Sequence, residues 1–485
     1  MSTENAPSHK DAGDGHVPQW IDNEAVVTRE ALHFRVESTA TEQVWTASGA
    51  DEAVARHAVD SAAAAFPAWS QTQPWHRRRL LMKAAEMVRA RRELLVATMM
   101  AETNASHNWA SGLNLEMAAD FIEELACLAA SSAVGWLPPT NSPDRMALVL
   151  KEPYGVVLGV APWNAPFFLA VRAVITPIAC GNTAVLKGSE LSPRTHHLLG
   201  EVLKDAGFPP GVLNIIQASR TQAPEVMKTL IAHPAVRKVN FTGSTAVGKI
   251  VAQQAGLYLK PVLLELGGKA PLIVLDDADL DKAAQAAVVG AFLHHGQICM
   301  ATERVVVMST VLSAFTERLR HFAATFDAGT AASHESAVRA SALVSSALAA
   351  GARLVFGRNE RRGAKLDATI LTDVKPGVDL YGEESFGPTL TIIPVASVDE
   401  AVEVANDTAY GLSASIFSRD VMKAVQLARR LDTGACHVNA MTVHDEPSLP
   451  HGGSKASGSG RFGAQWGMDE FLQIKTVTVT ATADG

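Results

Sequence analysis

The chain has 485 residues, about three domains' worth at the usual domain size. Its 47% hydrophobic and 19% charged composition excludes a disordered polymer and supplies a large core. Lys and Arg number 42 against 50 Asp and Glu, a net charge of −8 without a basic block, which excludes a dedicated binder of nucleic acid or anionic membrane.

Residues 1–19 are polar, lack the apolar stretch of a secretory signal, and read as a mobile tail. A helix is expected from Asp51 to Phe66, stopped by Pro67, and a second from Trp75 to Glu102, where Leu80, Ala84, Met87, Val88, Leu94, Leu95 and Thr98 share a face. A third covers Leu113 to Ala133, followed by a Pro-rich linker from Gly135 to Pro143 that cannot be regular structure. From Val156 the pattern changes to short apolar runs separated by helical stretches: Val156–Val160, Thr183–Leu186, Val212–Ile216, Lys238–Thr242, Pro261–Glu265 and Leu272–Leu275. Such runs indicate a parallel sheet covered on both faces.

A second series follows, with strands at Glu303–Val307, Arg353–Phe356, Thr389–Val395, Ser413–Phe417 and Ala435–Val438 and helices near Val311–Ala324 and Val398–Asn406. Two α/β units in tandem are the economical reading. Residues Gln473–Thr482 have strong β-propensity and resemble an edge strand in need of a partner, such as another subunit. The four cysteines, at 127, 180, 299 and 436, form no Cys-x-x-Cys pair, so neither a disulfide framework nor a metal site is expected. No apolar run reaches 18 residues. A soluble cytoplasmic protein fits these features.

Cys299 lies in His295-Gly296-Gln297-Ile298-Cys299-Met300, between a helix and a strand. A loop cysteine of this kind is an exposed nucleophile or a small apolar filler. Glu265 ends the apolar run that begins at Pro261. If buried, its carboxyl should rise toward the range of a general base; if on an edge strand, it is an ordinary solvated glutamate. Gly243 and Ser244 lie between a strand and a helix, where free N–H groups attract phosphate. Lys187 and Glu190 stand at a strand end, as a ribose clamp or a solvated loop, and Asn164 sits between Pro162 and Pro166, a rigid place for an amide donor. His294 and His295 take surface or packing roles, since no spaced Asp or Asn completes a hydrolase triad.

Seven strings, in order, closely resemble the aldehyde dehydrogenase superfamily. They are Pro162-Trp163-Asn164, Leu186-Lys187-Gly188-Ser189-Glu190, Phe241-Thr242-Gly243-Ser244-Thr245, Leu264-Glu265-Leu266-Gly267-Gly268-Lys269, Gly296-Gln297-Ile298-Cys299, Glu383-Glu384-Ser385-Phe386-Gly387-Pro388 and Gly458-Ser459-Gly460-Arg461-Phe462-Gly463. The resemblance spans about Gln19 to Thr482 and implies an α/β fold with a Rossmann-type NAD-binding domain (20–137 and 153–264), an α/β catalytic domain (265–467) and a small β oligomerisation extension (138–152 and 468–485). It implies NAD as cofactor, a homodimer or homotetramer, and an aldehyde oxidised to its acid through a thiohemiacetal and thioester. Cys299 would be the nucleophile, Glu265 the general base, and Asn164 with the Cys299 N–H the oxyanion hole. Trp163, Lys187, Glu190, Gly243, Ser244, Glu384 and Phe386 would contact the cofactor, with Glu384 on the nicotinamide ribose and Arg339 at a further ribose position.

The stretch Asn164–Ala173 and the string His444-Asp445-Glu446-Pro447 resemble the salicylaldehyde, vanillin and benzaldehyde branch. There Phe168 and Arg172, four apart on a helix, and Trp109 would line the aldehyde pocket. Alternatively Arg172 is a surface residue paired with a carboxylate and Trp109 a packing residue. The segment between Phe322 and Arg339 departs from the family, which usually carries a Gly-Asp-Pro turn and a Gly-Pro-Leu motif there. That rewriting leaves three competing readings: a non-catalytic binding paralogue, a CoA-acylating relative, against which Glu265 argues, and an enzyme for aliphatic aldehydes.

Overall fold

The computed structural model describes residues 15–481 apart from 40, 42 and 132. Of the expected tail, 1–14 lie outside the described residues. The remainder is not a tail: His16–Val17 pairs in parallel with Val44–Ala47, and Gln19–Ile21 joins the first large sheet. The apolar pair Trp20 and Ile21 accounts for this, since both are buried.

The first helix, Glu52–Ser70, starts where Asp51 accepts from the N–H groups of Ala53 and Val54. It runs through Pro67 instead of stopping before it, and buries Trp69 beyond. The expected second helix is two, Pro74–Ala90 and Arg92–Thr103, broken where Arg91 leaves helical geometry at ψ 18°. The third divides into a wider π-helical stretch, Trp109–Glu116, and an α-helix, Met117–Leu128.

Eight strands form the first large sheet, in the order Gly458–Ser459, Val262–Glu265, Val236–Thr242, Val156–Val160, Thr183–Lys187, Leu213–Ile216, Gln19–Ile21 and Glu24–Val26. Its five central strands are parallel, as uninterrupted apolar runs require when both faces are covered. The helix Pro166–Ala179 is buried along its whole length against this sheet. Seven strands form the second sheet, ordered Arg353–Phe356, Thr369–Thr372, Thr389–Val395, Thr302–Met308, Ala270–Val274, Ser413–Phe417 and Ala435–Val438. The run at Leu272 therefore belongs to the second sheet and not the first. Only Leu266–Lys269 separate the last parallel strand of one sheet from the first of the other, so the carboxyl edge of the first abuts the second.

The C-terminal strand Leu472–Thr480 finds its partner in its own chain, pairing antiparallel with Arg145–Pro153 over nine residues. The partner strand starts at Arg145, not at 138, because Pro138, Pro139 and Pro143 lie just before it.

Candidate active site

In the first sheet Val156–Val160 passes the chain to one side, and Val236–Thr242 returns to lie on its other side. At such a switch point the loops leaving neighbouring strands diverge and open a crevice. Pro162, Trp163 and Asn164 line it from one loop, Gly243 and Ser244 from the other. The crevice is a cavity of about 230 Å³ whose remaining walls include Glu265, Gly267, Ser336, Arg339, Glu384 and Phe386. Behind it lies a second cavity of about 150 Å³, walled by Trp109, Leu113, Phe168, Met441 and Val443, with Arg172, Asp445 and His451 at its charged end. Asn164, Leu169 and Cys299 line both, so the thiol stands where the two cavities meet.

An unusual turn presents Cys299. His294 and His295 both take left-handed backbone, φ 49° and 61°, a conformation that costs a residue with a β-carbon. Burial holds it: His294 stacks on Trp109 with centroids 5.1 Å apart, and burial pushes the two imidazoles down to about 3 and about 4, so both are neutral. Packing is thus their role. At Gly296, next in the turn, a Cβ would collide with the Gly387 carbonyl.

The Asn164 amide donates to the Gln297 carbonyl at 3.0 Å, while its backbone carbonyl accepts from the Trp109 indole at 2.8 Å. Gln297 is itself fixed by the Ala332 N–H, 3.0 Å from its side-chain oxygen. Ala332 belongs to the rewritten segment. Ser333 there caps the helix His334–Ala349, which brings Ser336 and Arg339 to the first cavity.

Glu265 is fully buried, yet its carboxyl does not rise. Burial alone would raise it, but His451 and the Arg172 guanidinium outweigh that and hold it down to about 2. Arg172 donates to Glu265 Oε2 at 3.0 Å and lies 3.7 Å from Asp445. Only 2% exposed, Arg172 is not a surface residue; it sits over the Phe462 ring at 4.4 Å and near Phe168 at 5.8 Å. The other oxygen of Glu265 faces His451 Nε2 at 3.6 Å. The Cys299 thiol is pushed up by burial and by the Glu265 carboxylate beside it, so it rests protonated.

On the other side, Glu384 accepts from the Gly268 N–H at 2.9 Å. Burial, together with the Glu303 carboxylate, pushes it up to about 8. Glu303 pairs with buried Lys269 and accepts from the Ser385 N–H at 2.8 Å, fixing the Glu384–Phe386 turn. Phe386 meets Trp163 edge to face at 5.8 Å, and Arg339 donates to the Glu384 carbonyl at 3.0 Å. Ser244 caps the helix Thr245–Leu257, accepting from Val247 N–H. Lys187 and Glu190 stand apart from this wall, at the end of the neighbouring strand; burial lowers the Lys187 ammonium.

Asp445 and His451 were not singled out as site residues from the sequence, although both lie in motif strings. A histidine before Gly452-Gly453 carries no spacing signal, and only the fold brings it to Glu265. Among the described residues no cluster of His, Cys, Asp or Glu could hold a metal ion, and no helix is long and apolar enough to cross a membrane.

A nucleotide crevice at a sheet switch point, opening onto a thiol that faces a carboxylate, defines an oxidoreductase of the thiol-dependent dehydrogenase class. The chain matches the aldehyde dehydrogenase family over residues 27–477 and belongs to it. It is 45% identical over 475 residues to a vanillin dehydrogenase of Pseudomonas fluorescens, covering 96% of this chain and 98% of that one. With a benzaldehyde dehydrogenase (NAD⁺) of Pseudomonas putida the identity is 36% over 437 residues, or 87% and 88% of the two chains. The crystal structure of a salicylaldehyde dehydrogenase from Pseudomonas putida G7, complexed with salicylaldehyde, superimposes with a TM-score of 0.94 at 37% identity, covering 97% and 99%. The protein is thus an NAD-dependent enzyme that oxidises aldehydes.

Proposed function

We propose that the substrate is an aromatic aldehyde of the salicylaldehyde, vanillin or benzaldehyde type. The observation that carries this is the second cavity. An apolar cavity of about 150 Å³ is the size that takes up a benzene ring, and Trp109, Phe168, Met441 and Val443 wall this one. A carbonyl on such a ring would reach Cys299, and Arg172 at the charged end offers a donor to a ring hydroxyl.

The first cavity fits a dinucleotide. Ser244 at a helix start suits a pyrophosphate, Glu384 a ribose, and at Gly267 a Cβ would strike the Glu384 carboxylate, so backbone and carboxylate leave no spare room. Lys187 and Glu190 would reach the adenosine ribose from the next strand. NAD, when bound, supplies the hydride acceptor. The protein's residues do the rest. As the Cys299 sulfur bonds the carbonyl carbon, its proton passes to Glu265, and the growing alkoxide accepts from Asn164 and the Cys299 N–H. Once the thioester has formed, Glu265 takes a proton from water as the water oxygen attacks, the carbon–sulfur bond breaks, and the acid leaves. Thr242 and Arg172 hold Glu265 from the substrate side throughout.

We also infer three units, nucleotide-binding, catalytic and a β extension, and a cytoplasmic homodimer or homotetramer. The paired strands Arg145–Pro153 and Leu472–Thr480 support the assembly, since Met146, Ile474 and Val479 are exposed on them.

A panel of aldehydes, followed at the NADH absorbance, tests the reading. Benzaldehyde and its hydroxylated relatives should exceed hexanal in kcat/KM; equal values would end the aromatic assignment.

A further inference from the structure

We propose that His451 is a positioning residue that relays the proton collected by Glu265 away from the site, through Asp445. The inference rests on Glu265 acting in thioester hydrolysis, as proposed above.

Two buried atoms lack a hydrogen-bond partner and face each other: Glu265 Oε1 and His451 Nε2, 3.6 Å apart. Unpartnered buried polar atoms are costly, so such a pair is retained for a use. The other ring nitrogen, Nδ1, lies 3.7 Å from Asp445 Oδ2. The imidazole thus spans two carboxylates, one sealed and one at 11% exposure, beside the exposed His444–Glu446 pair. The backbone of His451 is clamped to Phe462 by two hydrogen bonds of 2.8 and 2.7 Å, which leaves only ring rotation to close either gap.

The need for a relay follows from Glu265 itself. A carboxyl held down to about 2 keeps a captured proton only briefly at neutral pH. Arg172, its other close partner, has no lone pair to take one. Among side chains, imidazole is the group that ordinarily changes charge near neutrality and can pass a proton in at one nitrogen and out at the other. The balance is simple: one water proton goes to Glu265 as the carbon–oxygen bond forms, then to His451 Nε2, while the Nδ1 proton leaves to Asp445 and solvent. The charged and titratable groups around His451 are Glu265 and Cys299, Arg172 on the buried helix, Asp445, and His437 on the last strand of the second sheet.

The experiment compares the NADH burst and the steady-state rate of the holoenzyme with benzaldehyde, from about pH 5.5 to 9.5, for wild type, Glu265→Gln, His451→Gln and His451→Ala. His451→Gln should keep a first turnover near one NADH per site, lose about tenfold or more in steady-state rate, and lose the acid limb of the steady-state profile. Added imidazole should restore part of the rate of His451→Ala. An unchanged rate and acid limb in His451→Gln would overturn the relay. So would burst and steady state falling together without rescue by imidazole, because that marks a structural role. The underlying reading fails separately: Glu265→Gln turning over normally would remove Glu265 from hydrolysis, whatever His451 does.

Discussion

Two carboxylates flank Cys299, and their surroundings drive them in opposite directions. Glu265 is held down to about 2 because Arg172 and His451 outweigh its burial. Glu384 is pushed up to about 8 because burial is joined by a second carboxylate, Glu303, and countered mainly by one N–H, that of Gly268. Both side chains are acids in the same cavity wall; cations decide the difference. The signs carry through to stability. Glu265 stabilises the fold above its unfolded value near 4.5, and that contribution is lost only as pH falls through about 2. Glu384 works the other way: between 4.5 and 8 its folded form holds the extra proton, so its effect on stability declines as pH rises through that window. A charged group awaits chemistry on one side, and a neutral group awaits a ligand on the other.

The hardest break is at the point between them. Cys299→Ala should reduce aldehyde oxidation to less than a few per cent while NAD binding stays nearly intact, because the sulfur forms a bond and contributes little to cofactor affinity. It should also relieve Glu265 of a neighbouring thiol without removing Arg172. Retained turnover in purified Cys299→Ala, measured against a mock preparation, would show that the covalent route is wrong.

The next test bears on the Glu265 side. Arg172→Ala removes a buried partner and leaves the carboxylate with His451 alone, so Glu265 should rise and the protein should lose about 3–5 kcal/mol of stability. Denaturant unfolding reads the second effect. For substrates, hydroxylated aromatic aldehydes should lose about 1–3 kcal/mol of transition-state binding relative to hexanal, the range for an unmatched hydrogen bond. If kcat/KM falls equally for both, Arg172 serves only the ion pair, and the ring hydroxyl has no donor there.

These contrasts mark how far the sequence could be read. Both parallel sheets were legible, because strands such as Val156–Val160 and Val305–Val307 are apolar throughout and buried on both faces. The helix breaks at Arg91 and the run through Pro67 were not, since neither has a local signal stronger than its neighbours' helical pattern. Among site residues, Glu265 was noticed as a carboxylate in an apolar run, and burial was taken to raise it. The reversal depends on Arg172, 93 positions away, and on His451, 186 away, which only the fold places beside it. The rewritten 323–338 segment seemed a threat to activity. Its Ala332 N–H instead braces Gln297, which holds Asn164, so altered residues keep the contact through backbone.

The smallest expected effect lies on the Glu384 side. A ribose diol donates two hydrogen bonds best to an ionised carboxylate, whereas the free protein holds Glu384 protonated until pH approaches about 8. Binding NAD must therefore expel that proton, and the cofactor should bind more tightly as pH rises from neutrality, by up to about tenfold per unit below the raised value. Titration of intrinsic fluorescence with NAD between about pH 6.5 and 9 would read the slope directly, with Trp163 in the cavity wall as reporter. Glu384→Gln should flatten that slope and weaken binding at high pH, because the amide offers an acceptor that does not titrate. It should leave the Glu265 side untouched, so the burst of bound NADH on saturating cofactor should persist. A slope that survives in Glu384→Gln would place the titrating group elsewhere. The opposition between the two carboxylates would then be a matter of packing, with no bearing on how the cofactor is held.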